Sequence, residues 1–399
     1  MASIASMFPP ARLRRIAIAL LLLIPALTIW NLLVASYAPK LRVRFGPDLR
    51  GVTMASDPIE WSYQALADGR LQKGIADAVT EAFPARPFLI RMSNSARKRL
   101  FGMYGAPGVV VGVDDELIEQ AYLDEYCSRD LTVLRQKSSE WLPKLKELQD
   151  SYATRSRQLI YFTSPSKAAH LPEKFLGQIQ CKSSPTDRKE YLPTYDQLVR
   201  AAGIRMVDAA SLTHSLKGRY EVNLFPLGGV HWNQLGVAHA ADAVLAEINR
   251  NAGREIAPRL SWTYEITDRP SGTDTDLADV VNVLFARPRY PVPKLTFAGG
   301  KPCEDWPVSK MKIILVGGSF VHDVARMLIA QGCLQRLQTY NYLVGSVRGG
   351  DGYREIRERA NDGDHAQLRE ADIVILEENE AGVPGSRHAR GLRRIVIGE

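Results

Sequence analysis

The alternation of apolar and polar positions divides the chain into stretches of different character. From Ile16 to Ala35 the sequence IAIALLLLIPALTIWNLLVA carries no charge, and its length is about what a helix needs to cross the hydrocarbon core of a bilayer. Between about residues 40 and 110 the pattern becomes helical, in LADGRLQKGIADAVTEAF and, after the breaker FPARPF, in the basic stretch MSNSARKRLF. Leu131, Leu134, Trp141, Leu142, Leu145 and Leu148 then recur at near-helical spacing, which predicts a helix over roughly 129–155 with Pro143 as its point of kinking or splitting. It runs into RQLIYFTSPSK, whose short apolar core bounded by turn residues reads as a buried strand followed by an active-edge loop.

The same rhythm of helix then strand returns in YDQLVRAAG and IRMVDA, in VAHAADAVLAEINR and KIILVGG, and in VARMLIAQ and ADIVILEEN. Helices alternating with short apolar strands specify an α/β fold, a mainly parallel sheet flanked by helices on both faces. Ligands of such sheets bind beyond the carboxyl ends of the strands. Residues 252–310, rich in Pro, Gly, Asp and Thr, read as an irregular insertion over the sheet edge. The expected organisation is therefore a cytoplasmic tail and anchor over 1–39, a membrane-proximal helical arm over 40–110 and a catalytic domain over 111–399.

Composition changes this picture in two places. With 45% hydrophobic and 24% charged residues the chain is globular. Its N-terminus competes between an anchor and a cleaved signal peptide, since Arg12, Arg14 and Arg15 form a basic region and Ser36-Tyr37-Ala38 resembles a cleavage site. Pro39 just after that site and the length of the apolar run favour the uncleaved anchor. A single span behind a short tail exports the rest of its chain, so residues after about 40 are expected in the periplasm, anchored to the inner membrane. A net charge of +7 suits a polyanionic partner, either an acidic polysaccharide or an anionic membrane surface. Nucleic acid is a poor fit behind a membrane anchor. Cys127, Cys181, Cys303 and Cys333 form no CxxC pair and no metal-ligand spacing, so no metal is expected. Disulfides suit an exported domain, and Cys127 with Cys181 and Cys303 with Cys333 each close a moderate loop; four free thiols are the alternative.

Two motifs carry candidate chemistry. In KIILVGGSFVHDVARML an apolar strand ends at Gly317-Gly318-Ser319 and a helix starts at once. A serine there sits at the top of the sheet beside helix N-terminal N–H groups able to stabilise an oxyanion, so Ser319 is a candidate nucleophile supported by Gly318. Its structural reading is a helix N-cap. In FPLGGVHWNQLGVAHAADAVLAEI, His231 lies in a loop beside Trp232 and Asn233, as a general base packed in place would. Lys167 in PSK and Arg348 in VRGGDGY are candidates for binding an anionic group of a substrate, and Trp232 and Asn233 for lining its site.

Taken together, FPARPFLIRMSNSARKRLFG, VVVGVDDELIEQAYLDEYC, YFTSPSK, HWN, GGSF and ADIVILEENE occur in an order that resembles the alginate O-acetyltransferase family, of the AlgJ and AlgX type. That family's catalytic domain resembles a circularly permuted SGNH hydrolase. The resemblance implies Ser319 as nucleophile and His231 as base, with transfer of acetyl from a multipass membrane acyltransferase to an exopolysaccharide hydroxyl and no cofactor. It further implies oxyanion donors from a later Gly and Asn, for which Gly349 or Gly350 and Asn379 are the candidates. Two departures stand out. The family pattern is Asp-x-His-Trp, and Gly229 occupies the Asp position; Glu116 stands where the family more often has Trp. Either another acid substitutes, with Glu221, Asp242, Asp323 and Glu378 as candidates, or the centre is a Ser-His dyad, weak or inactive. The corresponding alternatives are an acetylesterase and a polysaccharide-binding or assembly subunit.

Overall fold

The computed structural model describes residues 10–51, 59–177, 179–284, 288–298, 304–333, 337–343, 346–349, 352–355 and 362–398. The chain forms two compact units, one of Met1–Pro107 with Ala278–Arg287 and one of Gly108–Leu277 with Pro288–Glu399.

The first unit contains the helices Pro10–Val34, Tyr63–Ala67, Arg70–Ala82 and Arg86–Phe101. Asn31, buried in the last turns of the first of these, donates its amide to the carbonyls of Val43 and Ala82, both at 2.8 Å. Ile18, Leu21, Leu22, Ile29 and Leu33 on the same helix remain exposed. Among the described residues no helix is long and apolar enough to cross a membrane.

In the second unit the described strands are β1 (Val109–Val111), β2 (Leu117–Glu119), β3 (Gln158–Ser164), β4 (Met206–Asp208), β5 (Trp262–Thr267), β6 (Val292–Phe297), β7 (Ile313–Gly317), β8 (Gln338–Asn341), β9 (Ser346–Gly349), β10 (Gly352–Glu355) and β11 (Ile373–Asn379). Seven of them form one sheet in the order β10-β9-β8-β7-β11-β3-β4. From β8 to β4 every pairing is parallel, while β9 and β10 extend the edge antiparallel.

Pleating sends successive side chains to opposite faces, and the core follows that rule. Ile160, Phe162, Ile313, Leu315, Ile373 and Ile375 pack on one face with the helices Gln234–Ala252 and Phe320–Ala330. Leu159, Tyr161, Ile314, Val316, Val374 and Leu376 pack on the other with Leu131–Ala153, Pro185–Ala201 and Arg387–Ile397. Burial on both faces is why these strands read as unbroken apolar runs. The helix Leu131–Ala153 continues through Pro143 rather than splitting there. Burial of Leu134, Trp141, Leu142, Leu145 and Leu148 on one stripe holds it together across the lost hydrogen bond.

The stretch read as an insertion carries an antiparallel ribbon, β5 with β6, whose connection includes a turn of 3₁₀ helix, Gly272–Thr275, and the start of a short helix at Asp276. Cys127 and Cys181 form a disulfide. Cys303 lies outside the described residues, so its expected pairing with Cys333 does too.

Candidate active site

β7 and the helix Phe320–Ala330 meet at Gly318-Ser319, at the carboxyl end of the parallel sheet. Ser319 occupies the N-cap position but its side chain makes no capping hydrogen bond. The hydroxyl is therefore not spent on the structural task that serines at helix starts usually perform. It lies half-buried on the wall of a cavity of about 350 Å³, with Tyr122, Phe320, Tyr342 and Glu377 among the other lining residues.

His231 sits in the loop before the helix Gln234–Ala252, and its ring packs on Phe320, the neighbour of Ser319, at 4.7 Å between centroids. Its Nδ1 bonds to Asp276 Oδ2 at 2.5 Å. Nε2 is buried without a hydrogen-bond partner among the described residues. With Nδ1–H donating to the carboxylate, Nε2 carries the lone pair, the tautomer a general base requires. Burial pulls the imidazole pKa down, but the hydrogen bond and charge of Asp276, with Asp323 and Glu119 further off, outweigh it and raise His231 above its ordinary value.

Asp276 is thus the carboxylate paired with His231, and it was not among the sequence candidates. Its Oδ1 accepts from the N–H groups of Val230 and Leu277, both at 2.8 Å, so it also ties the histidine loop to the segment that carries it. The geometry at Gly229 explains why the carboxylate is here. A Cβ at 229 would lie 2.4 Å from the carbonyl oxygen of Thr273, 2.9 Å from Pro226 and 3.0 Å from the carbonyl oxygen of Asp274. The backbone that delivers Asp276 fills the space a side chain at 229 would need.

The four acids proposed as substitutes do other work. Asp242 pairs with Arg259 and accepts the N–H of Leu260. Glu378 accepts from the Tyr161 hydroxyl at 2.9 Å and from the N–H of Ser386. Asp323 pairs with Arg326 and acts on His231 only through its charge. Glu221 is exposed.

Of the other expected site residues, Lys167 is not a loop cation but a buried one. Its ammonium meets Glu116 at 2.6 Å and donates to the carbonyls of Pro226 and Gly229 at 2.7 and 2.8 Å, bracing the turn just ahead of His231. That role also accounts for a carboxylate at 116. Burial holds the pKa of Lys167 below its ordinary value, with Glu116 opposing. Trp232 is 1% exposed and packs against Phe162 and Phe320, which fixes the histidine loop against the start of the serine helix. Asn233, also buried, caps the helix Gln234–Ala252 by accepting from the N–H groups of Leu235 and Gly236. Asn233 spends its amide on the Asn223 carbonyl, while Trp232 lines a separate cavity of about 370 Å³ with Asp274 and Asp323.

The expected oxyanion donors are committed elsewhere. Gly318 N–H donates to Glu377 Oε2 at 2.6 Å. Asn379 spends its amide on Ser164 Oγ and the Pro165 carbonyl and its Oδ1 on the N–H of Ala381, a turn-forming pattern. Gly349 pairs with Gly352, and because β9 runs antiparallel to β8, it lies toward the end of the sheet opposite Ser319. Arg348, level with Thr339, is on the same strand short of that end. Gly350 lies outside the described residues.

Glu377 is the other acid the sequence reading missed. Fully buried beneath the serine turn, it accepts from Gly318 N–H and from Ser164 Oγ–H, and burial raises its pKa. The signal was present: a carboxylate ending an otherwise apolar run, IVILEEN, must find buried donors.

Residues 122–336, which contain His231, Asp276 and Ser319, match the family described as SGNH hydrolase-like domain, acetyltransferase AlgX. Three solved structures resemble this one. The O-acetyltransferase domain of Pseudomonas putida AlgJ is 17% identical, with a TM-score of 0.45 over 73% of this chain and 100% of that one. Pseudomonas aeruginosa AlgX is 16% identical, with a TM-score of 0.43 over 72% and 67%. Bacillus cereus PatB1 is 10% identical, with a TM-score of 0.45 over 70% and 98%. No curated protein matches the chain. With the family match covering more than half of its length, the chain belongs to the AlgX family of SGNH hydrolase-like acetyltransferases.

Proposed function

We propose that the protein is an exported, membrane-anchored O-acetyltransferase that passes acetyl to hydroxyls of a polysaccharide through an ester on Ser319. The observation that carries this reading is the His231–Asp276 pair, with Nε2 unpartnered among the described residues and the ring packed on Phe320, the residue that follows a serine whose hydroxyl caps nothing. Ser319 Oγ attacks the carbonyl carbon of the donor ester while His231 Nε2 takes its proton. The tetrahedral intermediate then collapses, the donor alcohol leaves with the proton from His231, and acetyl-Ser319 remains. In the second half an acceptor hydroxyl loses its proton to His231 and attacks the acetyl carbon. Ser319 leaves and recovers that proton.

The surroundings favour a chain-like acceptor. The serine cavity shares Glu125, Ala381, Gly382 and Arg387 with a polar groove of about 710 Å³ that also carries Arg129, Lys137 and Arg390. An open groove of that size beside the nucleophile suits several sugar units better than a small alcohol. The charge-free run Ile16–Ala35, and the leucines and isoleucines exposed on its helix, support a single-pass inner-membrane anchor with the second unit in the periplasm. Tethering there raises the effective concentration of the site near a multipass acyltransferase that delivers acetyl.

The test is intact-mass spectrometry of the protein after incubation with a chromogenic acetyl ester, beside Ser319→Ala and His231→Ala. An acetyl adduct that maps to Ser319 and is lost in both variants is expected. Transfer to added oligosaccharide then separates a transferase from an esterase that uses water. Folded protein with no adduct and no turnover would sink the covalent reading and favour a binding or assembly subunit.

A further inference from the structure

We propose that the phenolic hydroxyl of Tyr342 donates to the oxyanion that forms when Ser319 attacks its donor ester; the inference rests on the acyl-serine reading above. An acyl transfer site needs donors aimed at the oxygen on which charge develops. Gly318 N–H and the Asn379 amide are held by Glu377, Ser164 and Pro165, which leaves the N–H groups at the start of the helix Phe320–Ala330 as the backbone donors at the turn. Tyr342 lines the same cavity as Ser319 and brings a side-chain donor beside the serine turn. It follows the carboxyl end of β8, its own N–H donates to the carbonyl of Gly317 at 2.8 Å, and its ring meets His388 edge-on at 5.8 Å. Its hydroxyl lies 3.0 Å from the position a Cβ on Gly318 would take. The residue before the nucleophile must therefore lack a side chain for the phenol to reach the turn.

Two further observations separate this tyrosine from one that merely fills space. Tyr342 and Leu343 have φ of 51° and 53°, consecutive side-chain-bearing residues in the left-handed region. Strain of that kind persists where surrounding contacts over-determine it, and it gathers at functional sites. The ring is also 44% exposed and lines the serine cavity, and its hydroxyl has no hydrogen-bond partner among the described residues. The oxyanion would supply that partner, in a place a ligand can reach.

The experiment compares wild type, Tyr342→Phe and Tyr122→Phe in steady-state cleavage of a chromogenic acetyl ester, in formation of acetyl-Ser319 by mass, and in affinity for a small alkyl boronic acid that forms a tetrahedral adduct on serine. Tyr342→Phe keeps the ring and its packing. It should lower kcat by about 100-fold or more with KM nearly unchanged, the loss expected for one oxyanion donor, and weaken the boronic acid in parallel. Wild-type kcat in Tyr342→Phe, a loss confined to KM, a loss of kcat without weaker boronate binding, or a loss carried by Tyr122→Phe instead would each overturn the assignment. Failure of the wild type itself to form acetyl-Ser319 would overturn both this inference and the reading beneath it. Acylation that survives Tyr342→Phe at full rate would overturn this inference alone.

Discussion

Replacing Asp276 by Asn is the sharpest perturbation of the proposed centre, because it keeps the shape of the side chain and removes its charge. In the native protein the carboxylate accepts from His231 Nδ1 and from the N–H groups of Val230 and Leu277. The amide oxygen can keep the backbone contacts, so stability should fall by only about 1 kcal/mol, the net value of an ordinary hydrogen bond. Catalysis should suffer far more. An amide NH₂ facing Nδ1 favours the tautomer with the proton on Nε2, which leaves no lone pair there to take a proton. The imidazolium formed during attack also loses a charge-assisted bond, worth about 1.5–3 kcal/mol. With the tautomer penalty added, a total of about 3–5 kcal/mol corresponds to a loss of about 100- to 10,000-fold in kcat at 1.36 kcal/mol per decade. The assay is ester cleavage and acetyl-Ser319 formation, with Ser319→Ala and His231→Ala as the floor. If Asp276→Asn turned over within about threefold of wild type while His231→Ala was dead, Asp276 would not be the acid and the Ser-His dyad would be restored, a result that the 1.36 kcal/mol scale makes hard to mistake.

Other expectations come from the same contacts. Gly229→Ala should destabilise by about 1–3 kcal/mol, as overpacking against backbone does, and lower activity by displacing the segment at Thr273 and Asp274; denaturant unfolding and ester turnover read the two effects. Lys167→Met leaves Glu116 buried without its cation and takes a donor from the Gly229 carbonyl, so unfolding should show a loss of about 3–5 kcal/mol, partly recovered by adding Glu116→Leu. The pH dependence of kcat/KM should rise with deprotonation of His231, with its midpoint above the ordinary value of 6.5, and Asp276→Asn should move that midpoint down. The linked stability has a definite sign. A raised histidine pKa stabilises fully below its unfolded value and the contribution fades as pH rises through the folded value, so the stability gap between wild type and Asp276→Asn should narrow over that window.

The sheet was legible because β3, β7 and β11 are buried on both faces and announce themselves as unbroken apolar runs bounded by turn residues. Ser319 and His231 stood out as candidates for a related reason, each lying in a Gly-bearing loop at the junction of an apolar strand or an apolar-faced helix. The antiparallel edge was not read, since VRGGDGY was weighed only for Arg348 and its glycines; Gly349 pairs with Gly352, and GGDG is a turn signal available in the sequence. Lys167 was misread because its environment is set by Glu116, fifty-one positions earlier, and by a turn some sixty positions later, and no local pattern distinguishes a buried ammonium from a solvated one.

Asp276 was invisible for a deeper reason, and that reason bears on whether the site works. It lies among Asp268, Asp274 and Asp279 in a stretch without periodicity, so only the path of the chain singles it out. That path passes so close to Gly229 that the side chain the family places there has no room. The missing aspartate and the supplied one are therefore not independent facts. A site decaying from disuse would lose the carboxylate at 229 and leave a gap or an arbitrary side chain. Here glycine stands at the position, the backbone of Thr273 and Asp274 packs over it, and the carboxylate three residues from Thr273 meets His231 Nδ1. Restoring the acid by Gly229→Asp in an Asp276→Asn background should consequently fail to rescue turnover, because the new side chain would have to displace backbone to reach the histidine. Rescue to near wild-type kcat would show that the two positions are interchangeable and that this packing does not couple them.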